Sequence, residues 1–247
     1  MPAYMSHIIM ARDVYDKINN DNVSLDYMLT FSLGGDLARF SKCRRRCHKE
    51  KMEEFIDNMW RYIKDNNLFC DKDYMGTLYG HICHYYMDNV CHSLIRKIDK
   101  MSVNVGRKNH TLIESYIDNY LVKDKYNRDI SKFNNSYAFR GRVRKIYKMI
   151  DYVYIETYNT KYVSFSYFIT KLLYSNIRLL LRVFGKRLLK EIFRYDKYME
   201  VNNGLDILNK KKKIEYNNYL GNKCNDSFME LYEQSIVLSI CRIIELE

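Results

Sequence analysis

Apolar residues recur along this chain at a helical rather than a strand period, and they do so in long segments. From Ser6 the run HIIMARDVYDKI is amphipathic, with Ser6 placed to cap it and His7 in its first turn. Asp21 to Phe40 predicts a shorter helix and then a turn, where Gly34 and Gly35 give the backbone freedom immediately before Asp36. His48 opens another helical run through Trp60 and Ile63, ending near Asn66 and Asn67, and the longest helix is predicted from about Tyr74 to Lys100. After Gly106 comes a helix with His110, Glu114 and Asp118 on one face.

Val163 to Leu189 is apolar enough to raise the question of a membrane span. Lys171, Arg178 and Arg182 interrupt it, so no apolar stretch of about 18 residues exists and a buried or interface-lying helix is expected. Glu200 to Cys224 reads as an exposed loop, and Ser227 with Glu230 has the spacing of a capping box at the start of a last helix. With no internal repeat, long linker or second domain in the pattern, the expectation is one all-α, multi-helix bundle over residues 1–247.

Composition agrees with that reading. A single proline, Pro2, and nine glycines leave few helix breakers, and 247 residues are enough to bury a core without staples. The seven cysteines are an odd number and MPAYMSHIIM lacks the continuous apolar core of a secretory signal. Reduced thiols and an intracellular, cytoplasmic location are therefore expected, without a transmembrane helix. The net charge of +11 attracts polyanions, whether nucleic acid, phosphorylated metabolites or an anionic lipid surface, and does not choose among them. Basic residues gather at Lys42 to Lys51, beside His48, and at Asn209 to Lys213, which reads as a solvated loop.

The chemistry is concentrated in Tyr79 to Ile95, YGHICHYYMDNVCHSLI. On a helix His84, Asp88 and His92 form a column, with His81 inside the same arc, and a turn of about 6 Å between ligands suits one divalent ion or a bridged pair. A hydrogen-bonded core histidine beside an aspartate would satisfy the same pattern. His110 and Glu114 supply a second pair four residues apart, and two such pairs weigh more than one. Cys43-x3-Cys47-His48 is an alternative zinc grip, but it lacks a second pair at a familiar spacing.

Taken together these residues resemble the zinc-dependent phospholipase C family, especially its leaderless members. The elements are His7, Gly35-Asp36, His48, the run Cys83-His84-Tyr85-Tyr86-Met87-Asp88-Asn89-Val90-Cys91-His92, His110 with Glu114, and Asn225-Asp226-Ser227-Phe228-Met229-Glu230-Leu231, in the family's order. The family's proline before the loop aspartate is absent, Gly35 standing directly before Asp36. The resemblance implies an all-helical fold with a zinc cluster at the bottom of a cleft. It places one zinc on Asp36, His48, His84 and Asp88, and a second on His92, His110 and Glu114. A third would take His7, a bridging Asp88 and the chain's own N-terminal amine and carbonyl.

The activity so implied is phosphodiester hydrolysis by water activated at a multinuclear zinc cluster, with Asp36 as candidate general base. Phospholipid is the expected substrate, with an anionic membrane surface as partner of the apolar, basic C-terminal half. Single-stranded nucleic acid is the runner-up, since the same fold class contains three-zinc nucleases. A metal-stabilised interaction protein without turnover is the reading from a different class, motivated by the altered Asp36 loop and by the extra His81. His81 itself is expected to support a ligand from behind.

Overall fold

The computed structural model describes residues 4–43, 46, 51–102, 109–128, 130, 136–176 and 206–246. The described residues are helical apart from connecting turns and one small hairpin. In chain order the helices are α1 Tyr4–Ile18, α2 Leu25–Phe31, α3 Met52–Asp65, α4 Lys72–Met101, α5 Asn109–Tyr126, α6 Val143–Tyr158, α7 Val163–Ser175 and α8 Phe228–Leu246. Short 3-10 turns lie at Gly34–Ala38 and Ser136–Phe139. Strands β1 Tyr216–Asn217 and β2 Lys223–Cys224 pair antiparallel, Tyr216 opposite Cys224 and Asn217 opposite Lys223.

Helix α4 is the axis of the bundle. It runs for 30 residues without a proline, starts where the Asp71 carboxylate accepts the Asp73 N–H at 3.0 Å, and packs against α1, α2, α3, α5 and α8. One flank is cut away for α2: a Cβ at Gly80 would come within 2.6 Å of the Met28 carbonyl, so only glycine lets the two backbones approach. Further along, α4 carries Cys83 and Cys91, which face Ser239 and Ser235 of α8. Burial raises both thiols, Cys91 to about 12, and keeps them protonated and inert. The six described cysteines are all free.

The start of α1 departs from the expectation drawn from Ser6. The helix begins at Tyr4, and its first-turn amides are capped from another helix: Asp118 of α5 accepts the N–H groups of Met5 at 3.1 Å and Ser6 at 2.8 Å, and the Ser6 hydroxyl at 2.7 Å. A carboxylate reaches two amides and a hydroxyl at once, which the serine side chain cannot do for its own helix. At α8 the expectation is met. Glu230 accepts the Ser227 N–H at 2.6 Å, and the Ser227 hydroxyl accepts the Glu230 N–H at 3.3 Å.

His48 and Gly106 lie outside the described residues, as does the part of Val163 to Leu189 beyond residue 176. No helix among the described residues is long and apolar enough to cross a membrane. Within Glu200 to Cys224 the described part is more ordered than an exposed loop. Tyr216 is buried, and Asn209 closes the turn by donating to the carbonyls of Asn225 and Asp226 while accepting the Ile214 N–H. The lysines that follow Asn209 are exposed.

Candidate metal centre

Helical spacing and the close approach of α1, α2 and α5 to α4 bring six of the expected ligands into one chain of contacts. Asp88 is its hub. The His7 Nε2 lies 3.3 Å from Asp88 Oδ1, the His84 Nε2 3.6 Å from Asp88 Oδ2, and the His92 Nδ1 3.4 Å from Asp88 Oδ1. Glu114 is a second hub, with the His110 Nε2 at 3.1 Å and the His92 Nε2 at 3.8 Å from its Oε1. The rings of His7 and His84 are 4.6 Å apart, and those of His92 and His110 are stacked at 5.6 Å.

Two ring orientations are fixed by backbone. The His84 Nδ1 is 3.1 Å from the Ser32 carbonyl, and the His92 Nδ1 is 3.0 Å from the Asp88 carbonyl. A carbonyl only accepts, so each Nδ1 carries the proton and, in a neutral ring, Nε2 carries the lone pair. Those lone pairs then face carboxylates, a repulsive arrangement unless a cation or a second proton stands between them. Gly34 makes the His84 position attainable. It sits at φ +40°, and a Cβ there would overlap the His84 ring.

The electrostatics point the same way. Burial pulls the His92 imidazole down, but the charge and hydrogen bond of Asp88 and the charge of Glu114 lift it to about 9. Burial likewise opposes protonation of His7, yet Asp88, then Asp36 and Asp118, leave it above its ordinary value. Its other nitrogen, Nδ1, is buried with no hydrogen-bond partner among the described residues. Imidazole and carboxylate are suitable zinc donors, and one ligand atom from each of His92, His110 and Glu114 lies within 4.8 Å of the others. The residues present fit a divalent ion. His92 and His110 are partly exposed whereas His7 and His84 are buried, so solvent reaches the cluster from the α5 side.

The family model for zinc dependent phospholipase C matches residues 6–173. The chain belongs to the zinc-dependent phospholipase C family. None of the curated proteins and none of the solved structures matches it. The all-α fold is that expected of the family, and the family is a zinc-dependent one. The matched span contains every candidate side-chain ligand, and it ends within α7, ahead of the hairpin and α8.

Asp36 stands in the Gly34–Ala38 turn, half-buried, with its N–H donated to the Leu33 carbonyl at 2.9 Å. Its charge reaches both His7 and Tyr174. His81 does not join the cluster. Its Nδ1 is 2.9 Å from the Thr77 carbonyl, its Nε2 is 2.9 Å from the Tyr167 hydroxyl, and its ring stacks on Phe31. None of these partners is a candidate ligand, so His81 is a satisfied core residue, and the supporting role expected of it is corrected. Two neighbours were not singled out as site residues from the sequence. Asp99 places Oδ2 3.8 Å from His110 Nδ1, and its signal was its position seven residues beyond His92. Tyr174 of α7 has a buried hydroxyl with no hydrogen-bond partner among the described residues, near Asp36 and Asp118, and no local pattern marked it.

Proposed function

We propose that this chain is a zinc-dependent phosphodiesterase of phospholipase C type, built as one domain over residues 1–247. The observation that carries the reading is the pair of imidazole Nε2 atoms, on His84 and His92, aimed at carboxylates while a backbone carbonyl holds each Nδ1. His84 and Asp88, with Asp36 and His48, are assigned to one ion, and His92, His110 and Glu114 to a second. His7 and Asp88 are assigned to a third, completed by the N-terminal amine and carbonyl. Zinc in these positions supplies positive charge for the phosphoryl oxygens and makes water more acidic.

The chain's own side chains do the rest. Backbone carbonyls hold His84 and His92 in the tautomer that presents Nε2, so no reorientation is needed when ligands bind. Asp36 is the proton acceptor. In the hydrolysis the water oxygen ends on phosphorus and the phosphorus–oxygen bond to glycerol breaks. The proton given up by water passes to Asp36 and is returned to the departing oxygen. Phospholipid is the substrate class the family suggests.

The test is metal analysis of the purified chain beside a diesterase panel of phosphatidylcholine, phosphatidylinositol and single-stranded DNA. Bound zinc with lipid turnover supports the reading, and turnover of DNA alone replaces the lipid assignment with the nuclease one. Full zinc occupancy with no turnover of any of the three would reassign the chain as a metal-stabilised interaction protein.

A further inference from the structure

One turn beyond His92, α4 and the β1–β2 hairpin enclose a groove of about 500 Å³ lined by Ser93, Arg96, Lys97, Lys100, Glu215 and Lys223. Four cationic side chains face one carboxylate there. Helix ends attract cations, and Lys100, in the last turn of α4, is accounted for in that way. Arg96 and Lys97 stand more than a turn from the end, and Lys223 comes from a different element, so the dipole does not explain them. None of the four makes an ion pair within 4 Å among the described residues. A second basic groove, lined by Arg140, Arg142, Arg144 and Lys145, has two carboxylates, Asp26 and Asp73, in its own lining, and its Lys145 is held by Asp71 at 2.9 Å and Asp73 at 2.7 Å.

The groove lies next to the metal centre along α4. Ser93 follows His92 in sequence, Arg96 lies four residues on along the same helical stripe, and the Arg96 charge is felt at His92. We propose that this groove is an anion subsite which selects phosphodiesters whose headgroup carries further negative charge, a phosphorylated polyol rather than a zwitterionic choline. By the helical rise Arg96 and Lys100 stand roughly 6 and 12 Å along the axis from His92. The inference rests on the phosphodiesterase reading for the reaction, and on four cations that make no ion pair among the described residues for the selectivity.

The probes are inositol 1,4,5-trisphosphate for the free anion and short-chain phosphatidylinositol 4,5-bisphosphate against short-chain phosphatidylcholine for the lipid-borne one, each with the zinc-loaded full chain. Trisphosphate binding, followed by calorimetry, should weaken at least tenfold in Lys97→Glu/Lys100→Glu and by an intermediate amount in Lys97→Gln/Lys100→Gln. The kcat/KM ratio of bisphosphate lipid to phosphatidylcholine should fall at least tenfold in the first variant. Arg140→Glu/Arg144→Glu, the same charge change in the other groove, should leave both readouts in place. Equal losses in that control would mean long-range attraction by the net charge and would overturn the subsite. Lipid turnover with an unaltered ratio would overturn the subsite while the phosphodiesterase reading stands. Trisphosphate binding lost with Lys97 and Lys100, in a chain that hydrolyses no diester, would keep the anion site and sink the reaction. Binding of the bisphosphate lipid without the free trisphosphate would make the lipid the source of the anion, and displacement of both by an oligothymidylate that is itself hydrolysed would overturn the headgroup assignment.

Discussion

His81 and His92 stand on the same helix, eleven residues apart, and the molecule treats them as opposites. Each has its Nδ1 on the carbonyl four residues earlier, Thr77 for one and Asp88 for the other. The second nitrogen decides the difference. That of His81 meets a tyrosine hydroxyl in a pocket of Phe31, Phe55 and Tyr167, and burial lowers its pKa to about 4. That of His92 meets Glu114, with Asp88 beside the ring, and its pKa rises to about 9 despite burial. A histidine whose two nitrogens are both satisfied by neutral partners holds a core together, whereas one that faces carboxylates calls for a cation.

The largest effect that would break this contrast is at Asp88. Replacing it with asparagine should lower turnover by more than about 100-fold, beyond the loss typical of a supporting contact, and should reduce zinc per chain. Metal analysis and initial rates on the same preparation decide it, and a variant with unaltered zinc stoichiometry would refute the hub. His81→Ala should do the reverse. It should cost roughly 3 kcal/mol of stability from the lost ring and hydrogen bonds, with zinc per folded chain unchanged, as read by urea unfolding and metal content.

The acid and base limbs of stability sharpen the same comparison in the metal-free chain. His81 has a folded pKa of about 4, below its unfolded value near 6.5, so the unfolded chain binds the proton first. Its contribution is complete above pH 6.5, and roughly 3 kcal/mol is lost as pH falls towards 4. His92 has a folded pKa of about 9, so its contribution is complete below pH 6.5 and is lost as pH rises through 9. Removing His81 should flatten the acid limb, and removing His92 the alkaline one. If both variants kept the parent curve, the electrostatic contrast would be wrong.

Smaller effects belong to the helix ends that hold the cluster in place. Asp118→Ala should cost about 1–2 kcal/mol, since it uncaps α1 three residues before His7 is reached from Tyr4, and the loss should appear in thermal unfolding. Ser227→Ala, at the cap of α8 and far along the chain from the ligands, should cost about 1 kcal/mol and leave zinc content alone.

Much of this was legible in the chain before folding was considered. The helical period marked α1, α4, α5 and α8, and spacing placed His84, Asp88 and His92 in one column and His110 above Glu114. The spacing also grouped His81 with the ligands, because positions 81 and 84 share an arc on an isolated helix. Only the arrival of Phe31 and Tyr167 at one and of Ser32 and Gly34 at the other separated them. The role of Asp118 was hidden for a similar reason: it continues the His110 and Glu114 face, yet what it touches comes from a helix more than 100 residues away.

Sequence by itself determined the candidate ligand types, their register along each helix and the capping of α8, since these follow from periodicity and from partners within a few residues. Tertiary structure decided which histidines meet carboxylates, by bringing His7 of α1 and Glu114 of α5 onto α4, and it gathered four lysine and arginine side chains into one groove where, among the described residues, they make no ion pair. Imidazole takes its charge and its task from neighbours distant in the chain, and no local pattern encodes them.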